Sequence, residues 1–396
     1  MRFDKLLENV KRIQGNTLKL YIYGAGFYGK DIYRVLNRNG IHIDGFIVTK
    51  KDGADEVFGL PVIVADTVFN DNPGIVIGLS ESYVDGVIRY LEENNVNMDN
   101  VTNGGKYITD TGGRKDLKES LMMEISTAMG CSVNCEFCPQ DVLLKKYYEK
   151  DKNRQRVMTV DNFKTILKHT PDDCIIDFSG MTEPFLNPNC IDMIRLACEA
   201  GRRVYLFTTL FGVSEETVDE LISLPVYYMT LHVADKMGYA YIPTTETYYR
   251  NVEKVIKAKK ADGRPFVDFV NAQTDPDERV AEICGDDYEI MRSVQNRAGN
   301  LKDERVQYRK KPIEAGKKIS CCFAEGDLLN NVALPDGTLV LCNMDYGMKH
   351  VMGNIYEEDY ETIRRKSEFR QVWNEMNGGN DMSLLCRTCL LARVEE

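Results

Sequence analysis

The sequence predicts an α/β protein of parallel βα units, with a Rossmann-like first domain and a last segment rich in thiols. Three observations carry this. From about residue 118 to 300, short apolar runs alternate with amphipathic helical stretches, the pattern of a parallel sheet or barrel. Near the start, a strand pattern runs into Gly24-Ala-Gly26-Phe-Tyr-Gly29 and then into a helical pattern. Eight of the 12 cysteines fall into two groups: Cys131, Cys135 and Cys138, then Cys321, Cys322, Cys342, Cys386 and Cys389.

Composition narrows the classes. A chain of 396 residues accommodates two or three domains. The net charge of −11 argues against nucleic acid or an anionic membrane as partner, since both select a basic face. No apolar run approaches the ~18 residues of a membrane span, and the opening residues do not read as a secretory signal. A cytoplasmic location with reduced thiols is therefore expected. Cys174, Cys190, Cys198 and Cys284 stand alone in apolar or helical contexts and read as small core residues.

In the first segment, residues 1–112, Phe3, Leu6, Leu7, Val10 and Ile13 recur at helical spacing. A strand over Leu18–Tyr23 follows, then the glycine turn and a helix through Ile32, Val35 and Leu36. Strand, Gly-x-Gly-x-x-Gly and helix in that order read as a Rossmann-like dinucleotide turn, with Gly24, Gly26 and Gly29 as candidate nucleotide-binding positions. The next strand, Ile43–Val48, ends in Thr49-Lys50-Lys51 and supplies no acid for a ribose, which speaks against NAD. A ligand-free βα turn is the competing reading. A further strand, Gly74–Gly78, precedes a helix from about Ser80, and Gly112-Gly113 marks a linker.

In the middle segment, residues 118–300, strands are expected at Met122–Ser126, Ile175–Ser179, Val204–Thr208, Val226–Leu231 and Phe266–Asn271. Helices are expected at Asp161–Lys168, Ile191–Ala200, Glu215–Leu221 and Thr247–Lys259. Gly201 stops one helix and Ser214 caps another. In βα barrels, chemistry sits on the loops after strands. The first such loop carries Cys131-Ser-Val-Asn-Cys135-Glu-Phe137-Cys138. Thiolate is a soft ligand for iron–sulfur clusters, zinc or Cu(I). Three thiols on one loop can hold three irons of a [4Fe–4S] cluster and leave the fourth without a protein thiolate. Zinc, or three unconnected thiols, are the alternatives; zinc prefers paired Cys-x2-Cys units.

This loop resembles the C-x3-C-x2-C signature of the radical S-adenosylmethionine (SAM) superfamily, with an aromatic residue before the third cysteine. Ser179-Gly180-Met181-Thr182-Glu183-Pro184 is similar in position and form to that family's Gly-Gly-Glu motif. The resemblance implies a partial (β/α)6 TIM-like radical SAM barrel with a [4Fe–4S] cluster and SAM as cofactors. It implies that Glu183 meets the SAM ammonium and that Thr208, Thr209 and His232 contact SAM. Asn296-Arg297-Ala-Gly-Asn300 resembles a turn of relatives with an auxiliary-cluster domain, and implies that Arg297 meets the SAM carboxylate.

In the last segment, residues 301–396, Cys321-Cys322, a hairpin ending in Cys342, and Cys386-Arg-Thr-Cys389 present four separated thiolate positions. Their order resembles the twitch domain, a shortened SPASM domain, and implies one auxiliary [4Fe–4S] cluster; a structural zinc is the alternative. The implied activity is a 5′-deoxyadenosyl radical that abstracts hydrogen from a C–H bond and so oxidises or otherwise modifies a sugar-like or nucleotide-linked small molecule. An electron donor such as flavodoxin or ferredoxin is the implied partner. The first segment also resembles modules found with sugar-modifying enzymes. Modification of a peptide, and a non-catalytic iron–sulfur electron carrier, are the alternative readings; a carrier would have no use for Glu183.

Overall fold

Apolar residues three and four apart make α1, Asp4–Gln14, an amphipathic helix that buries Leu6, Val10 and Ile13 completely. The computed structural model describes residues 4–51, 55–79, 81–105, 121–285, 287–291, 296–301, 311–321 and 330–394. They belong to two units that divide after residue 118.

In the first unit β1, Leu20–Tyr23, starts later than the apolar run because Leu18 is exposed. It is joined by β2, Gly45–Val48; β3, Glu56–Val57; β4, Leu60–Val64; β5, Gly74–Ile77; and β6, Val101–Asn103. Helices α2, Phe27–Arg38, and α3, Glu81–Glu93, complete the unit. The sheet order is β3-β4-β2-β1-β5-β6, with β3–β4 an antiparallel hairpin and every other pairing parallel. Counting the five parallel strands alone, the order is third, second, first, fourth, fifth. That is the doubly wound Rossmann arrangement, whose switch point lies between β1 and β5. Both faces are covered: Leu20 and Ile22 pack into one core, Tyr21 and Tyr23 into the other.

The glycine turn leaves β1 at this switch point. Gly24 takes a φ of +107°. A Cβ on Gly29 would lie 1.8 Å from the Gly24 carbonyl oxygen, so α2 can approach β1 only where residue 29 has no side chain. Gly26, the N-cap of α2, has nothing within 4 Å of the corresponding position. Two of the three glycines are thus required by packing, and Gly26 alone faces open space.

The second unit contains six parallel strands in chain order: β7, Met122–Ile125; β8, Ile175–Phe178; β9, Val204–Thr208; β10, Tyr228–His232; β11, Phe269–Ala272; and β12, Glu289–Ile290. All five pairings between them are parallel. Between strands run α4, Gln140–Tyr147; α5, Val160–His169; α6, Cys190–Glu199; α7, Glu215–Ser223; α8, Glu246–Lys257; and α9, Glu278–Cys284. Helix starts follow local chemistry: Thr159, Ser214, Thr245 and Asp277 each accept backbone N–H groups at N-caps. Gly201, at φ +71°, ends α6. His232 lies inside β10 rather than in the loop beyond it, because the strand runs a residue past the expected end; β11 likewise ends one residue later than expected, at Ala272.

The last segment extends this same sheet. After β13, Ile319–Cys321, comes β14, Asn330–Ala333, which pairs parallel with β7 on its free side. It is followed by β15, Thr338–Val340, and β16, Val351–Asn354, both antiparallel. The order is therefore β12-β11-β10-β9-β8-β7-β14-β15-β16, an open sheet of nine strands. Two helices follow, α10, Tyr360–Arg364, and α11, Ser367–Met376. Finally β17, Ala392–Val394, pairs antiparallel with β13. Among the described residues no helix is long and apolar enough to cross a membrane.

Replacing Gly29 by Ala is expected to destabilise the first unit by about 1–3 kcal/mol, since backbone rather than a flexible side chain must give way. Gly26→Ala is expected to stay within ~1 kcal/mol of wild type. Denaturant titration of both variants checks the contrast, and equal losses would contradict it.

Candidate functional site

The loops leaving β7 and β8 are tied together by short polar bonds. Ser126 Oγ accepts the backbone N–H of Met181 at 2.8 Å, and Thr127 Oγ1 donates to the Pro184 carbonyl at 2.8 Å. Thr182 Oγ1 donates to Gly130 O at 3.4 Å, and Gln140 donates to the Met181 carbonyl. Gly180 makes this approach possible: it has φ +49°, and a Cβ there would lie 2.4 Å from Ser126 Oγ. The Ser179–Glu183 segment is thereby held against the Cys131–Cys138 loop.

That loop turns through Asn134, left-handed at φ +44°, a conformation asparagine tolerates. Cys138 N donates to Cys135 O at 3.0 Å. The segment after β10 clamps the loop from outside: Glu136 N donates to Tyr239 O, and Tyr241 N to Val133 O, each at 2.7 Å. Phe137 is buried and meets the Tyr239 ring edge-on at 5.3 Å. Burial raises the Cys131 thiol above its ordinary value; backbone hydrogen bonds from Glu183 and Val133 oppose the rise, and the negative charges of Glu183 and Cys138 add to it. Burial, with Cys138 and Cys131 as neighbours, pushes Cys135 up to about 12, and Arg297 opposes this. The three thiols, Glu183 and Arg297 therefore share one electrostatic neighbourhood.

Glu183 is 5% exposed. Its carboxylate accepts Thr208 Oγ1 at 2.6 Å, Thr209 N at 2.7 Å and Thr209 Oγ1 at 2.8 Å. Burial lifts its pKa above the usual carboxylate range, while these bonds pull it down. The two threonine hydroxyls proposed as ligand contacts are thus engaged in holding Glu183.

The strands have two distinct faces. Met123, Ile125, Ile176, Phe178, Leu206, Met229, Leu231 and Val270 pack under the helices. The alternate residues face the other way: Glu124, Asp177, Tyr205, Phe207, Tyr228, Thr230, His232 and Asn271. On that face Tyr205 and Tyr228 rings lie 5.3 Å apart, Phe207 and His232 6.3 Å apart, and His232 Nδ1 bonds Asn271 Oδ1. Glu124, absent from the sequence-derived site, is fully buried there. It accepts Asn330 Nδ2 at 2.9 Å, Asn343 Nδ2 at 2.8 Å and Ser179 Oγ at 3.3 Å. A lone charge within Leu-Met-Met-Glu-Ile was the available signal, because a fully buried strand rarely carries one.

The last segment reaches this site at two further points. Tyr346 Oη lies 3.7 Å from Cys138 Sγ, and the Arg297 guanidinium stands 6.0 Å from the Tyr346 ring centre. Arg297 and Ala298 are both left-handed, at φ +47° and +52°. The turn is held by Asn300 Nδ2 donating to Met344 O at 3.2 Å and by Thr388 Oγ1 donating to Ala298 O at 3.0 Å.

A second site lies in the last segment. Cys321, Cys342, Cys386 and Cys389 line one mostly apolar cavity together with Leu341, Met344, Leu385 and Asn330. Cys322 lies outside the described residues. Burial and the neighbouring thiols raise Cys342 and Cys386 well above the ordinary thiol range. Both residues inside Cys386-Arg-Thr-Cys389 have structural work: Thr388 meets Ala298, and Arg387 is wholly buried. Arg387 donates to the carbonyls of Asp381 at 2.8 Å, Glu314 at 2.6 Å and Gly379 at 2.6 Å. Among the described residues no three His, Cys, Asp or Glu side chains converge tightly enough for a single metal ion.

A radical SAM superfamily model matches residues 125–284, and an iron–sulfur cluster-binding domain model, SPASM, matches residues 319–390. Similar solved structures include BtrN in complex with AdoMet and 2-DOIA, at 19% identity and TM-score 0.43, covering 66% of this chain and 89% of that one. Streptococcus suis SuiB bound to S-adenosylmethionine aligns at 12% identity and TM-score 0.43, covering 78% and 81%. Native anSMEcpe with bound AdoMet and Cp18Cys peptide aligns at 13% identity and TM-score 0.37, covering 64% and 82%. No curated protein matches the sequence.

Arg387→Met is expected to cost about 1–3 kcal/mol, because it leaves buried carbonyls without donors. Thiol labelling of Cys386 and Cys389 should accelerate in parallel. Unchanged labelling rates and unchanged unfolding would show that Arg387 does not organise this loop.

Proposed function

The chain is a radical SAM enzyme with a SPASM-type iron–sulfur domain, and we propose that it dehydrogenates a sugar-like or nucleotide-linked small molecule. The observation that carries the oxidative reading is the second cavity, where four thiols surround one apolar space. Four thiolates satisfy a [4Fe–4S] cluster completely, so such a cluster has no open iron for substrate and is suited to accept an electron. A zinc ion would need its ligands ~2.0–2.3 Å from one point.

The donor set of the other site fits its group as well. Cys131, Cys135 and Cys138 would hold a cluster with one iron lacking a protein thiolate. Glu183, fixed by Thr208 and Thr209, would present a carboxylate to the SAM ammonium as a charge-assisted bond. Arg297, beside Cys135 in the electrostatic sense, would meet the SAM carboxylate. When bound, the cluster and SAM supply a carbon-centred radical able to take hydrogen from a C–H bond. The protein's own part is to orient and enclose. The clamp of Tyr239 and Tyr241 on the cysteine loop and the buried Phe137 serve enclosure.

Substrate class rests on the face of β9, β10 and β11 opposite the residues packed under the helices. Tyr205, Tyr228, Thr230, His232 and Asn271 offer hydroxyls, an imidazole and an amide on adjacent strands, the donors and acceptors a polyol requires. The Rossmann-like unit, with open space over Gly26, suits a nucleotide-linked form of such a substrate. A one-electron donor such as a flavodoxin or ferredoxin would reduce the cluster.

Anaerobic reconstitution is expected to load about eight irons, and Cys131, Cys135 and Cys138 replaced together by Ala should leave about four. A wild-type protein carrying zinc in its C-terminal domain would overturn the auxiliary-cluster reading. With dithionite and SAM, 5′-deoxyadenosine should form, and Glu183→Gln should weaken SAM binding by roughly 1–3 kcal/mol. For the substrate class, deuterated polyols and nucleotide sugars should transfer deuterium into 5′-deoxyadenosine. Transfer from peptides alone would replace the dehydrogenase reading with a peptide-modifying one.

A further inference from the structure

The turn after β15 connects the two thiol sites. It begins at Cys342, which lines the second cavity, and four residues later presents Tyr346 to Cys138 of the first site. Little freedom remains in it. Asp345, fully buried, accepts Lys349 N and His350 N, each at 2.8 Å. Asn343 is anchored on Glu124, and Met344 O receives Asn300 Nδ2. The Tyr346 ring is 4% exposed and packs with Met129, Leu143, Met181 and Val332. Its hydroxyl therefore has one position, 3.7 Å from Cys138 Sγ.

We propose that Tyr346 is a positioning residue that donates its O–H to the Cys138 thiolate and thereby raises the reduction potential of the cluster held by the Cys131–Cys138 loop. The proposal rests on the assignment of that loop as a cluster site. In the free thiol, the S–H can donate to the tyrosine oxygen. A thiolate bound to iron only accepts, so the tyrosine must be the donor. Reduction adds negative charge that spreads onto the sulfurs. A donor aimed at one of them favours the reduced state, as hydrogen bonds to cluster sulfurs do generally. Arg297, over the Tyr346 ring, adds a positive charge to the same neighbourhood and reinforces the effect. Packing alone would not call for a hydroxyl here, because phenylalanine fills the same space.

The test is a redox titration of the reconstituted holoenzyme, followed by EPR, with the first-site cluster identified by the change in its signal when SAM is added. Tyr346→Phe removes the donor and keeps the ring. It is expected to lower the midpoint potential of that cluster by up to about a tenfold change in its oxidised-to-reduced ratio, ~59 mV for a one-electron couple. The auxiliary cluster should be unmoved. 3-Fluorotyrosine in place of Tyr346 keeps ring and hydroxyl but makes a stronger donor, and should shift the potential upward. Should Tyr346→Phe fail to retain iron, the fluorotyrosine protein decides by itself. A first-site potential unchanged in these proteins, with both clusters loaded, overturns the role of Tyr346 and leaves the cluster assignment intact. A wild-type protein with no SAM-responsive cluster overturns both.

Discussion

A buried carboxylate on the first barrel strand holds this second unit together. Glu124 lies wholly out of water, and its charge is tolerable there only because hydrogen-bond donors converge on it. Ser179 comes from the neighbouring strand's end, and Asn330 and Asn343 come from the last segment. Those bonds require β14 to run beside β7, where Val332 pairs with Glu124 in register. The sheet is thus continuous from the barrel into the thiol-bearing domain, and both sites are built on one frame.

The same economy governs the loops. Glu183 is held by Thr208 and Thr209 from the end of β9, and its backbone segment is held by Ser126 and Gly130 from the end of β7. Three consecutive strand ends therefore meet at one carboxylate. In the last segment, Arg387 organises the Cys386–Cys389 loop through main-chain carbonyls. A planar guanidinium with five donors suits that task, and a lysine could not replace it geometrically. The Arg297–Ala298 turn stores backbone strain between these loops, of order 1–3 kcal/mol per residue. Contacts from Asn300 and Thr388 hold it in place.

Much of this was legible locally. Spacing located the cysteine loop, the Ser179–Glu183 segment, the Cys386-x-x-Cys389 closure and the glycine turn, because each is a contiguous pattern whose chemistry is local. Helix starts at Ser214 and the stop at Gly201 followed from side chains that satisfy nearby backbone groups. The parallel βα strands showed as apolar runs. The two-residue β3 and three-residue β6 did not, since pieces so brief carry no period, and β4 did not because Pro61 interrupts its apolar run.

The sequence by itself determined which thiols fall together in two groups and that a βα sheet carries the first of them. Only the tertiary structure decided that Glu124 and Tyr346 belong to the site. Asn330 lies 206 residues along the chain from Glu124, and Cys138 lies 208 from Tyr346. A lone glutamate in an apolar strand and one tyrosine among 21 carry no spacing that marks a role. The pairing of β14 with β7 brings them to their partners, and strand pairing between distant segments depends on the burial of whole faces, not on any local pattern.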